Sequence, residues 1–248
     1  MQPVIAVPEP LTKADRERYQ RTMAIEGFGE EAQGRLKAAT VCCIGAGGLG
    51  GPVLQYLAGS GVGRLIVVDD DIVEERNLQR QTLYGTTSLG TSKAAAAAAR
   101  LVDLNPMVEV IPMHLRVTQE TAEKVLAGCD VVVDAVDNLP TRLAVARACQ
   151  RLDLPLVFGA VQAVNGQVTV LWERHGLALS DLFPDPPRNC PTASEVGVLG
   201  PMTGWVGSVM ATEVVKLLTG VGEPLLGRVM YIDTLRARVA ELPLAGRS

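Results

Sequence analysis

Residues 41–71 read VCCIGAGGLGGPVLQYLAGSGVGRLIVVDDD. An apolar run, VCCI, ends in a glycine loop; a segment of helical spacing follows; a second apolar run, RLIVV, ends in three aspartates. Short continuous apolar runs with β-branched residues are the signature of strands buried on both faces of a parallel sheet. Gly45, Gly47 and Gly50 complete G-x-G-x-x-G directly after the first run, so that backbone amides and a helix dipole face a phosphate. Asp69 stands at the end of the second run, placed to accept hydrogen bonds from a ribose hydroxyl. The stretch predicts a strand–loop–helix–strand unit for a nucleotide, and taken alone it suits NAD.

The same alternation extends outward. Upstream, a charged helical pattern from Lys13 runs to the turn EGFG, and EEAQGRLKAA leads into the first strand; residues 1–10 are Pro-rich, and residues 1–14 are expected to be a flexible leader. Pro52 is expected at the start of the helix after the glycine loop, where a missing N–H costs nothing. Downstream, SKAAAAAARLVDLNP reads as a helix stopped at Pro106, VEVIPM as a strand, TAEKVLAG as a helix, CDVVVDAVD as a strand and LPTRLAVARACQRL as a helix. This is the pattern of an α/β, Rossmann-like doubly wound, mainly parallel sheet. It then changes: PLVFGAVQAVNGQVTVLWE holds two β-rich runs around Asn165-Gly166, a strong hairpin signal, and GRVMYIDTLRARVAEL predicts a second hairpin after a helix over about 202–218. The sheet is therefore expected to continue into antiparallel strands. Residues 174–200 lack periodicity and read as a long crossing loop within a single domain.

Composition narrows the function classes. A chain of 248 residues with 48% hydrophobic content can bury a substantial core. Twenty-three Lys and Arg against 27 Asp and Glu, a net charge of −4 with no basic run, argue against nucleic acid. No apolar run reaches the ~18 residues of a membrane span, and MQPVIAVPEPLTKADRERYQR has no signal-peptide core, so no membrane partner is expected and the location expected is cytoplasmic. Five cysteines, Cys42, Cys43, Cys129, Cys149 and Cys190, are odd in number; the first four read as small core filler rather than a disulfide framework.

The cations around the loop decide between nucleotides. Arg80 and Lys93 follow soon after Asp69, and Arg21 lies upstream. Backbone amides suffice for the pyrophosphate of a dinucleotide, whereas three phosphates and charge developing at the α-phosphorus call for fixed cations, which favours ATP. Asp137, in VVVDAVDN, falls at the carboxyl end of a predicted parallel strand, where open α/β sheets bind ligands, and a carboxylate beside phosphates is a natural Mg2+ ligand. Asp134 and Asn138 read equally well as helix caps before LPTR. His114 and His175 have no motif around them.

The motifs RYxR…GFG, GAGGLG, VDDDIVEERNLQRQ, GTSKA, DAVDN, NGQVTV and GVLGPMTGWVGSVMATEVVKLLTG stand in the order seen in the ThiF/MoeB/HesA family, the bacterial relatives of ubiquitin-activating enzymes, and the resemblance covers roughly residues 15–235. It implies one adenylation domain over 15–248, with an ATP-binding half to about 155 and a carrier-binding half after it. The implied activity is adenylation, with Mg-ATP, of the C-terminal glycine of a small ubiquitin-like sulfur-carrier protein, preparing thiocarboxylate formation for molybdopterin, thiamin or a similar product. By the same resemblance Asp69 binds the ribose, Arg80 and Lys93 the phosphates and Asp137 the magnesium. Arg21 reaches the site of the other subunit of a homodimer, and Asn77, Gln81, Gly48, Asp71 and Asn138 complete the nucleotide shell. A carboxylate attacking phosphorus needs charge neutralised and attack held in line; it needs no general base, being already ionised near pH 7.

The sequence also departs from that family. Many members carry two C-x-x-C pairs that bind zinc; GLALSDLFPDPP and AELPLAGRS have no cysteine at those places, so no structural zinc is expected. A cysteine four residues before the glycine of GV links some members to their carrier; here that place is Ala193, beside Ser194, and Cys190 three residues earlier is the possible carrier-linking thiol. No rhodanese domain is expected, and the sulfur donor is expected to be separate. Two alternatives stand beside this reading: an NAD-dependent dehydrogenase, which would bind NAD without consuming ATP, and a non-catalytic docking subunit for a ubiquitin-like protein, which should have lost one of Arg80, Lys93 and Asp137.

Overall fold

The structure, a computed structural model, describes residues 1–183 and 193–244. Three helices, α1 (Lys13–Arg18), α2 (Gln20–Met23) and α3 (Gly29–Ala38), precede the alternating part: β1 (Thr40–Ile44), α4 (Gly50–Gly59), β2 (Arg64–Val68), α5 (Lys93–Leu104), β3 (Glu109–Met113), α6 (Ala122–Leu126), β4 (Val131–Asp134) and α7 (Leu139–Leu152). The hairpin of β5 (Leu156–Gln162) and β6 (Asn165–Leu171) follows, then the short helices α8 (Leu179–Leu182) and α9 (Ala193–Val196), the long α10 (Gly200–Thr219), and a last hairpin, β7 (Arg228–Asp233) and β8 (Arg238–Pro243). One eight-stranded sheet results, in the order β3-β2-β1-β4-β5-β6-β7-β8. The pairs from β3 to β5 are parallel and those from β5 to β8 antiparallel, as the change of pattern near residue 155 requires.

The period of two along β1 sorts its side chains to two cores. Val41 and Cys43 face a core with Leu36 of α3, Leu54 and Leu57 of α4, Leu101 of α5 and Met210 and Leu217 of α10. Cys42 and Ile44 face the other, with Leu126 of α6, Val145 of α7 and Phe158 of β5. Both faces of the parallel strands are thus covered, which is why they read as continuous apolar runs. The chain steps from β1 to β2 and β3 on one side, then returns to place β4 on the other. The crevice at the carboxyl ends of β1 and β4 is the switch point of the sheet, the position where open α/β sheets take ligands. Among the described residues no helix is long and apolar enough to cross a membrane.

Two local expectations are corrected and one, for Pro52, is refined. Residues 1–14 are laid along the body rather than loose: Ile5 is buried, the Val4 amide donates to the Leu217 carbonyl at 2.9 Å, the Glu9 amide donates to Gly34 at 3.0 Å, and Thr12 and Asp15 cap α1 reciprocally. Pro52 is the third residue of α4, still within the turn whose amides have no intrahelical acceptor.

The hairpin turn is Ala163-Val164, with Ala163 at φ 52°; Asn165 and Gly166 lie inside β6. Gly166 is there for packing, since a Cβ on it would sit 2.4 Å from both Met202 Cε and Val206 Cγ2 of α10. Gly166→Val should therefore cost about 1–3 kcal/mol of stability, read as a lower urea midpoint, because the helix must lift from the sheet. An unchanged midpoint would contradict this seating of α10.

Candidate active site

A cleft of about 570 Å³ opens over the carboxyl ends of β1, β2 and β4. Gly45, Gly47, Gly48, Asp69, Asp71, Arg80, Gln81, Lys93, Asp137 and Asn138 all line it. The glycine loop is bare backbone for steric reasons. Gly45 takes φ 93°, and a Cβ on it would lie 2.7 Å from the Ala135 carbonyl oxygen; one on Gly50 would lie 1.9 Å from the Gly45 oxygen. Gly50 thus lets the helix start close against its own loop, a role in packing rather than in the cleft wall. Tyr84 ties the loop to α5, its hydroxyl donating to the Ala46 carbonyl at 2.7 Å, with the Lys93 carbonyl at 3.2 Å.

Asp69 accepts from the Ala46 amide at 2.8 Å and from the Asp71 amide at 2.9 Å. Burial raises its carboxyl above the ordinary value, and the two amides and Lys93 oppose that rise. Lys93 opens α5 after the cap Ser92 and is only 4% exposed, yet its Nζ stands 2.8 Å from Asp71 Oδ2. A buried ammonium with one carboxylate partner keeps its remaining donors for another anion. Arg80 donates to Asn77 Oδ1 at 3.1 Å, so Asn77 acts on the cleft through Arg80 rather than by lining it. Gln81 is buried with its Oε1 unpartnered, and its Nε2 lies 3.4 Å from where a Cβ of Gly47 would be.

Asp137 is exposed in the cleft, and Asn138 is both a lining residue and the N-cap of α7, accepting from the Thr141 amide at 3.1 Å. Asp134 is no cap: it is fully buried and ion-paired to Arg142. Arg21 is exposed on α2 and does not line the cleft of its own chain. Cys190 lies outside the described residues. Cys42, Cys43, Cys129 and Cys149 are buried and free, and burial pushes the thiols of Cys43 and Cys149 up, as core filler requires.

Sequence reasoning missed the far wall of the cleft. Gln162, Asn165, Gln167 and Tyr231 of the antiparallel strands line it, as do Arg142 of α7 and Thr203 of α10. The alternation in NGQVTV could have shown Asn165 and Gln167 on one face, but only the fold brings that face to the glycine loop. The Thr203 hydroxyl reaches back to the Arg80 carbonyl at 3.3 Å, which joins α10 to the cation loop.

Comparison with known proteins agrees with this architecture. Residues 19–248 match the model of the ThiF family. A sulfur carrier protein adenylyltransferase of Thermus thermophilus is 46% identical over 93% of this chain and 88% of its own length. The SAMP-activating enzyme E1 of Haloferax volcanii is 44% identical over 94% of this chain and 87% of its own. Among solved structures, that of E. coli MccB with MccA-N7isoASN superposes with a TM-score of 0.82 at 22% identity, over 94% of this chain and 72% of that one, a likeness of fold. This chain belongs to the ThiF family.

Proposed function

We propose that this protein is an adenylyltransferase that activates the C-terminal glycine of a small ubiquitin-like sulfur-carrier protein, with ATP and Mg2+. The observation that carries the reading is the content of one cleft: a glycine cradle, the ribose-type acid Asp69, the cations Arg80 and Lys93, and the free carboxylate of Asp137, with no histidine or cysteine among the described lining residues. The described lining of this site thus offers neither a thiol nor an imidazole. It has what is needed when the substrate brings an ionised carboxylate and the barrier is the approach of two anions. The printed names of the two relatives, a sulfur carrier protein adenylyltransferase and a SAMP-activating enzyme, support the same class.

The residues fit the nucleotide and its metal. A side chain at Gly45 would collide with the Ala135 backbone, which keeps the loop bare there, and the Gln81 Oε1 is a buried acceptor without a partner among the described residues. No group of three or more His, Cys, Asp or Glu that could hold a metal occurs among the described residues. One carboxylate is what Mg2+ uses when water and substrate phosphates supply its other ligands. Magnesium at Asp137 would neutralise phosphate charge; Lys93 and Arg80 would hold the phosphates from the α5 side, and Asp69 would orient the ribose. A homodimer with Arg21 completing the partner's site, a cytoplasmic location, a separate sulfur donor and the absence of zinc belong to the same proposal.

Incubation with ATP, Mg2+ and candidate carriers ending in Gly-Gly, followed by intact mass measurement, should show one adenylyl group added to a carrier with a free C-terminus and none to its amidated form. NAD binding with no ATP consumed would select the dehydrogenase instead.

A further inference from the structure

In the wall of the cleft lies an arginine that the reaction itself does not call for. Arg142 is in the first turn of α7, and its guanidinium turns back toward β4. Its Nε stands 3.0 Å from Asp134 Oδ2, and its Nη2 donates to Asp134 Oδ1 at 3.4 Å. Its Nη2 donates to the Val136 carbonyl at 2.6 Å and to the Gly159 carbonyl of β5 at 3.1 Å, and the group stacks on Phe158 at 4.5 Å. Asp134, the last residue of β4, is 0% exposed and also accepts from the Val136 amide at 3.2 Å. Val136 is thus held at both its amide and its carbonyl, one residue before Asp137. Among the described residues the Asp137 carboxylate has no partner, so there its position is set by the backbone. The glycine loop leans on the same segment, through the contact of Gly45 with Ala135.

We infer that Arg142, locked by Asp134, is a positioning residue: it fixes the backbone of residues 135–138 and thereby the place of the Asp137 carboxylate in the cleft. The inference rests on the proposed function for what Asp137 holds, and on geometry alone for what Arg142 does. A buried ion pair is a costly way to join two elements, and replacing one partner leaves the other charge unpaired. Lysine retains the charge but cannot bridge three acceptors in one plane.

The test compares wild type, Arg142→Lys and the neutral pair Asp134→Asn/Arg142→Gln. Amide hydrogen exchange should quicken by about tenfold or more over residues 135–138 in Arg142→Lys, while peptides of β1 and β2 stay as in wild type. Mn2+ bound in the presence of a non-hydrolysable ATP analogue, read by paramagnetic resonance, should weaken by about fivefold or more, with metal-free nucleotide binding within about twofold. The neutral pair, which leaves no unpaired charge, serves if Arg142→Lys does not fold. Unchanged exchange over 135–138 in a folded variant, unchanged Mn2+ affinity beside a wild type that binds it, or failure of both variants to fold would each overturn the positioning role. A wild type that binds no Mn2+ with nucleotide would instead sink the reading of the cleft, while the exchange data still decide what Arg142 does.

Discussion

Lys93→Met should lower carrier-dependent ATP–pyrophosphate exchange by about 10³-fold, roughly 4 kcal/mol of barrier. The size of the effect follows from burial. Lys93 is 4% exposed and sits at the start of α5, so its charge acts in a place from which water is largely excluded. Its partner among the described residues, Asp71, is mostly exposed, with a side-chain accessibility of 64%. Removing the ammonium therefore frees Asp71 to water at little cost but leaves the phosphates facing a net negative loop of Asp69, Asp70 and Asp71. Methionine fills the space of the lysine stem, so the thermal midpoint should move by only a few degrees. A folded Lys93→Met protein with more than about a tenth of wild-type exchange would remove this residue from the site.

A comparable loss is expected from Arg21→Ala and from Asp137→Ala, each alone, and mixing the two inactive proteins should restore part of it. Arg21 is exposed on α2 and does not line its own chain's cleft, whereas Asp137 does. If Arg21 completes the site of a second subunit, a hybrid dimer has one site with both groups intact and one with neither. Random exchange makes half of the dimers hybrids, so about a quarter of the wild-type activity per site should return. Exchange of subunits verified by labelled chains, with no return of activity, would contradict a shared site.

The glycine-loop half of the cleft was legible because its constraints are local. A buried parallel strand, a loop whose glycines are forced by close backbone approach, and an acid at the end of the next strand all fall within 31 residues, and each has a sequence signature. The place of the cations was legible too, since Arg80 and Lys93, read as neighbours of the glycine loop, both line the cleft. What escaped was nonlocal. The far wall made by Gln162, Gln167 and Tyr231 depends on how β5, β6 and β7 extend the sheet, and no spacing in the chain encodes that. Gly166 misled in an instructive way: Asn-Gly between apolar runs is the turn signal, but here the glycine is demanded by the approach of α10, and Ala163 takes the positive φ instead. Asp134 and Arg142 show the same limit. Asp134 read as a helix cap and Arg142 carried no signal, and only the packing of α7 against the sheet brings them together as a pair.

The most direct test of the central claim is isotope exchange between pyrophosphate and ATP with the wild-type protein. If this cleft joins a carrier's terminal carboxylate to an adenylyl group, exchange should need ATP, Mg2+ and a carrier ending in a free glycine, and should vanish when that terminus is amidated. Exchange that proceeds equally well without a carrier, or that fails with every Gly-Gly carrier offered while the protein binds ATP, would contradict it.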